Sequence, residues 1–244
     1  MIEVEELTVR FGGVTPLDGT TLTFEAGTCG LIGPNGAGKT TFFNVLSGFV
    51  RPVGGSVRAF GENLLAMPHY RRARWGVRRT FQTEQAIEEL SIAENVALVH
   101  EHSRRNGRRS RRTDVLEALE FVGLEVTPTT RVGTLGSRDR RLVELARAVV
   151  GNPRLVLLDE PAAGLPDEET DHIGQVIRRI PERTGALVIL ADHDMNLVSG
   201  CCATTAVLDF GALIAIGPTD RVLRDEHVVR AYLGTDPGTQ VVEV

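Results

Sequence analysis

Residues 33–41 constrain this chain more than any other stretch. The segment Gly33-Pro34-Asn35-Gly36-Ala37-Gly38-Lys39-Thr40 matches G-x-x-x-x-G-K-[ST], and a second threonine, Thr41, follows. Such a loop has to sit between a strand and a helix. Residues 28–32 before it read as a strand, and residues 40–46 after it as a helix that starts near Gly38 and stops near Gly48. Glycines let backbone N–H groups turn inward around phosphate oxygens where a Cβ would obstruct them, and the helix N-terminus adds partial positive charge. Lys39 is placed to reach the β- and γ-phosphates of ATP, and the Thr40 hydroxyl to ligate Mg²⁺. Lys39 is also the only lysine among 27 cationic residues. A compact ammonium on a flexible stem suits that site where a planar guanidinium would not.

The rest of the composition narrows the class. A chain of 244 residues with 42% hydrophobic and 24% charged residues reads as globular, with one sizeable core or two small ones. A net charge of −5 argues against a general nucleic-acid binder. Cys29, Cys201 and Cys202 lack metal-ligand spacing and are expected as buried thiols in a reducing compartment. No signal peptide is visible, and no apolar run approaches the ~20 residues of a membrane span.

Along the chain, strand patterns at residues 2–9, 20–25, 28–32 and 55–59 suggest a mixed sheet. From residue 87 to 150 the pattern turns helical: Ile92, Val96 and Val99 recur at helical spacing, as do Val115, Leu119 and Val122, then Leu142, Leu145 and Val149. Residues 104–112 carry six arginines in nine positions, either a solvated turn or a cationic patch for headgroups or an acidic partner. Continuous apolar runs at 155–158, 186–191 and 205–209 suit strands buried on both faces, with helices expected at 168–180 and 195–200 between them. Residues 1–86 and 151–234 are expected to form the nucleotide-binding core, 87–150 a helical subdomain and 235–244 a loose tail.

An acid at the end of a buried strand should help hold the metal. Asp159 closes the run Leu155-Val156-Leu157-Leu158, and would position Mg²⁺ through its water shell. Glu160 follows as the natural general base for an attacking water. His193, after residues 186–191, could bond a γ-phosphate and hold that water. Alone, the acidic pair would read as a capping device and the histidine as a surface ion pair; the loop tips the pair towards catalysis, and the place of His193 after a strand of the same sheet tips the histidine.

These motifs, with the helical insert between them, resemble the ATP-binding cassette (ABC) family over nearly the whole chain. The resemblance implies an α/β fold: a P-loop NTPase with a RecA-like core, an antiparallel β subdomain and a helical subdomain. It implies that Phe11 stacks on adenine. Gln82, in Arg79-Thr80-Phe81-Gln82, would contact Mg²⁺ and sense a membrane subunit, and Asp159, Glu160 and His193 match the metal-linked Asp, catalytic Glu and switch His. Further matches resemble the cassettes of branched-chain amino-acid importers: Phe11-Gly12-Gly13, Gly76-Val77, Pro161-Ala162-Ala163-Gly164-Leu165, His193-Asp194-Met195, Leu208-Asp209-Phe210-Gly211 and Ala231-Tyr232-Leu233-Gly234.

One stretch departs from the family. Where its members carry a signature close to L-S-G-G-Q, this chain has Leu135-Gly136-Ser137-Arg138-Asp139, so Gly136 takes the Ser position, Arg138 the second Gly and Asp139 the Gln. Pro166 also stands where the family has Asp or Asn. Two readings stay open: a degenerate signature, or Arg138 acting in trans as an arginine finger. The expectation is an ATPase subunit powering an importer of branched-chain or other hydrophobic amino acids, or of related small solutes. Its partners would be a second cassette, as a heterodimer with a homodimer as alternative, and two transmembrane permeases; nucleic acid is not expected. The chain would sit in the cytoplasm against the inner face of the membrane, with residues 82–99 as a helical segment transmitting motion. The alternative is a non-transport or regulatory ATP-binding protein with weak hydrolysis.

Overall fold

The computed structural model describes residues 1–103 and 110–233. Six of the arginine-rich positions, 104–109, and the tail at 235–244 lie outside the described residues. The first half of the chain runs β1 (Ile2–Phe11), β2 (Val14–Phe24), β3 (Thr28–Ile32), α1 (Lys39–Ser47), β4 (Gly54–Ala59), β5 (Glu62–Asn63), α2 (His69–Trp75) and β6 (Val77–Arg79). Three helices follow: α3 (Ile92–Glu101), α4 (Arg111–Phe121) and α5 (Ser137–Val149). The chain then alternates β7 (Leu155–Asp159), α6 (Asp167–Thr184), β8 (Leu187–Ala191), α7 (Met195–Cys201) and β9 (Thr204–Asp209). It closes with β10 (Ala212–Pro218), α8 (Thr219–Val222) and α9 (Glu226–Leu233).

Two sheets organise these elements. A four-stranded antiparallel sheet has the order β2-β1-β4-β5, and a six-stranded sheet the order β10-β9-β3-β8-β7-β6. The larger sheet is parallel except where β10 folds back along β9. Its central strands explain the unbroken apolar runs, because successive side chains point to opposite faces. Val156, Leu158, Val188 and Leu190 join one core with the faces of α3 to α6. Leu155, Leu157, Leu187 and Ile189 join another with Phe42 and Phe43 of α1 and with Ile2, Val4 and Val57 of the antiparallel sheet.

Helix ends follow local chemistry. Gly48 stops α1 in the left-handed region at φ 84°, its N–H donating to Asn44 O and Val45 O. Ser91 and Glu94 form a reciprocal capping box at the start of α3. That cap corrects the expected helical segment at 82–99. Residues 82–91 are not helical, since Asn95 takes both the Ile87 N–H and the Ile87 carbonyl with its side-chain amide. Helix α6 likewise runs to Thr184, through Pro181, instead of stopping at 180, and ends on left-handed Gly185. Strands β6 and β10 escaped the sequence reading: one is three residues long, and the other contains Gly217 and Pro218, which read as turn punctuation.

Candidate functional site

The loop at residues 33–38 leaves β3 and turns into α1 on backbone shapes that only glycine accepts comfortably. Gly33 has φ 149° and Gly38 φ 106°. A Cβ would fall 2.1 Å from the Leu208 carbonyl at the first and 2.3 Å from the Pro16 carbonyl at the second. Asn35, Gly36 and Thr40 are exposed at the mouth, while Pro34 and Thr41 are half-buried and Ala37 is buried. The Gly211 N–H donates to Ala37 O at 3.0 Å, tying the β9–β10 turn to the back of the loop. Lys39 Nζ folds over the loop and donates to Gly33 O and, at 3.0 Å, to Pro34 O. Burial lowers its pKa, opposed by the negative charges of Glu160 and Asp159.

The acids arrive at the carboxyl end of β7. Asp159 is its last residue; its N–H donates to Thr80 Oγ1 at 3.1 Å, and its Oδ2 pairs with Arg79 Nη2 at 3.1 Å. Burial pushes the Asp159 carboxyl up, and the Arg79 hydrogen bond and charge pull it back. Glu160 sits at φ 48°, an uncommon backbone for a non-glycine residue. Its N–H donates to Ala191 O at 2.8 Å, which carries the turn across to the end of β8. Glu160 Oε2 accepts from Gln82 Nε2 at 2.8 Å, and His193 Nδ1 lies 3.7 Å from Oε1. His193 itself is exposed, on a turn that buried Asp192 holds by accepting the N–H groups of His193 and Asp194.

The structure therefore brings Lys39, Gln82, Asp159, Glu160 and His193 to one end of the parallel strands, the position where open α/β sheets bind ligands. Phe11 lies apart from these contacts. It ends β1, 53% exposed and opposite Val14, and Pro16 and Leu17, further along β2, pack on Gly38. Arg79, Asn44 and Asp192 belong to the site although sequence reading did not assign them roles. Asn44, one helical turn after Thr40, carried a positional signal; Asp192 was hidden beside the more conspicuous His193.

The stretch Gly136–Asp139 opens α5. Gly136 is its N-cap and supplies no side-chain bond, and Pro166 occupies the same position for α6. Ser137, Arg138, Asp139, Gly164, Pro166 and Glu169 line an open pocket between the two helix starts. Arg141 Nη2 donates to Ala163 O at 3.3 Å, and Arg140 and Arg141 both approach Glu84, in the loop after Gln82.

A family model described as ABC transporter matches residues 17–163. The chain is 38% identical to the high-affinity branched-chain amino acid transport ATP-binding protein BraF of Pseudomonas aeruginosa, over 96% of this chain and 98% of that one. It is 34% identical to the lipopolysaccharide export system ATP-binding protein LptB of Haemophilus influenzae, over 84% of this chain and 85% of the other. Among solved structures, an ATP-binding cassette of an ABC transporter in its ADP conformation superposes with a TM-score of 0.85 at 25% identity, covering 96% of this chain and 98% of that one.

Proposed function

This chain belongs to the ABC transporter family, and from that premise we propose that it is the subunit that powers an importer of branched-chain or other hydrophobic amino acids. Nucleotide binding and ATP hydrolysis come with the family. The observation that carries the reading is the convergence of Lys39, Gln82, Asp159, Glu160 and His193 around a glycine loop whose two tightest positions tolerate no Cβ. Amino acids as cargo rest on the likeness to BraF; LptB, also similar, is described as an export protein.

Residues 33–41 cradle the phosphates, with Lys39 leaving its loop carbonyls for phosphate oxygens, and Phe11 supports the adenine. Thr40, Asp159 and Gln82 offer only oxygen ligands, a hydroxyl, a carboxylate and an amide carbonyl, which suit a hard cation such as Mg²⁺. When bound, that ion neutralises charge on the β- and γ-phosphates. Glu160 takes the proton of the attacking water, and His193 beside it holds the γ-phosphate. Residues 1–86 and 151–234 act as the nucleotide-binding core and 87–150 as the helical subdomain.

Among the described residues no helix is long and apolar enough to cross a membrane. The chain works from the cytoplasmic face through separate permeases. A groove of about 300 Å³ beside the Gln82 loop, lined by Phe81, Gln85, Leu98, Val99 and His102, is suited to a short permease helix. Reconstitution with two permease subunits and a second cassette tests this: ATP should drive uptake of labelled leucine, isoleucine or valine. Outward movement, or uptake indifferent to Glu160→Gln, would overturn it.

A second feature bears on assembly. Gly136 and Arg138 replace a hydroxyl and a close-approach glycine in the signature. This favours a heterodimer in which a partner's signature serves this loop while this chain's signature serves its partner poorly. A Glu160→Gln chain should then dimerise on ATP with a second cassette more readily than with itself. Brisk turnover by an ATP-bound homodimer of the parent chain would rule the asymmetry out.

A further inference from the structure

Thr40 and Asp159 reach the site from separate elements, α1 and β7, so something has to set the distance between them. Arg79 on β6 touches both elements. Its Nη1 donates to Asn44 Oδ1 at 2.6 Å, and its Nη2 to Asp159 Oδ2 at 3.1 Å. Asn44 lies four residues after Thr40 on α1, and positions four apart share one face of a helix. The guanidinium thus spans from the helix turn below one metal-binding group to the carboxylate of the other.

Several features fix that bridge. The Arg79 side chain is 6% exposed and that of Asp159 10%. The guanidinium carbon lies 4.7 Å from the centre of the Phe81 ring and 5.6 Å from that of Phe43. Arg79 Nε is buried without a partner, so the fork is anchored through its two terminal nitrogens. On the Asp159 side the bond uses Oδ2 and the backbone N–H is held by Thr80, which fixes the carboxylate's orientation with Oδ1 outside the pair.

We propose that Arg79 is a positioning residue for the metal site: its planar fork sets the spacing and orientation of Thr40 and Asp159. The inference rests on the Mg²⁺–nucleotide reading given above. A lysine cannot replace the fork, because one ammonium does not present two divergent donors in a fixed plane. Arg79 lies three residues before Gln82, so displacement of that loop is felt at Asp159 as well as at Glu160.

Calorimetric titration of the full chain with ADP, once with Mg²⁺ and once with EDTA, separates positioning from a merely structural ion pair. Loss of an outer-shell partner weakens metal affinity by about 10-fold or more, so Arg79→Lys should weaken Mg²⁺–ADP binding by about that factor and leave metal-free ADP within about twofold. Asn44→Ala should act in the same direction, and it carries the test if Arg79→Lys does not fold. Variants that keep the parent's full gain from Mg²⁺, or that lose both affinities in parallel, would overturn the inference alone. A parent with no gain from Mg²⁺ would remove the metal-site reading itself, and this inference with it.

Discussion

Gln82 Nε2 donates a 2.8 Å hydrogen bond to Glu160 Oε2, so the carboxylate assigned to activate water is held by the loop assigned to face the membrane subunits. A displacement of residues 82–91 that breaks this bond frees Glu160 or turns it away. In the proposed reading, this side-chain contact is one link through which permease movement reaches the hydrolytic residues.

Replacing Glu160 by Gln preserves the size of the side chain and removes the carboxylate proposed as the base. General-base contributions are typically 100-fold or more, so phosphate release should fall by about 100-fold or more while ATP binding is kept. Paired measurements of phosphate release and equilibrium nucleotide binding check this. A variant that hydrolyses like the parent would assign the base elsewhere.

Lys39→Ala should act on binding first. Charge-assisted hydrogen bonds contribute about 1.5–3 kcal/mol each, so nucleotide affinity should drop at least about tenfold. In the parent, Lys39 donates to the Gly33 and Pro34 carbonyls, and neither bond holds two secondary-structure elements together. Thermal unfolding without nucleotide should therefore change little, and the difference between variant and parent should appear on adding ATP.

Much of this site could be read from the chain because its signals are local. The glycine loop and the strand at Thr28–Ile32 each lie in a short window whose chemistry points one way, and the loop then decides how the Asp159–Glu160 pair is read. What escaped depends on contacts between distant segments. Arg79 acquires its place by meeting Asn44 and Asp159, 35 and 80 residues away along the chain. Strand β6 is defined by pairing with β7 rather than by any period of its own. The expected helical segment at 82–99 failed over residues 82–91 for a different reason: Asn95, eight residues on, satisfies Ile87 with its side chain, which no hydrophobic period records.

Asp192 gives a pH-dependent prediction. Burial raises its pKa above the ordinary value near 3.8, and its Oδ2 has no hydrogen-bond partner. A raised carboxyl pKa means that the fold disfavours the charged form. This destabilisation is absent below the unfolded pKa and fully present once pH exceeds the folded one. Asp192→Asn keeps an oxygen for the N–H groups of His193 and Asp194 and removes the charge. The melting temperature of the variant relative to the parent should rise as pH increases from about 4 to 7, by a few degrees for each ~1 kcal/mol relieved. A pH-independent difference would show that the carboxyl titrates normally.

The thiols should be quiet in the folded chain. Burial pushes Cys29 and Cys201 to about 11 and raises Cys202 further. The thiolate is the reactive form, so alkylation at pH 8 should be slow in the native chain and reach all three cysteines after unfolding. Rapid native labelling, located by peptide mapping, would show a thiol more open than this packing allows.

Strand β7 presents Leu157 to one core and Leu158 to the other, immediately before Asp159. A cavity opened on either side therefore removes support from the same stretch of backbone. Substitutions in the two cores should therefore not simply add in their effect on stability. A volume change accepted on one side narrows what the other can accept, because both are constrained by the same few ångströms of backbone.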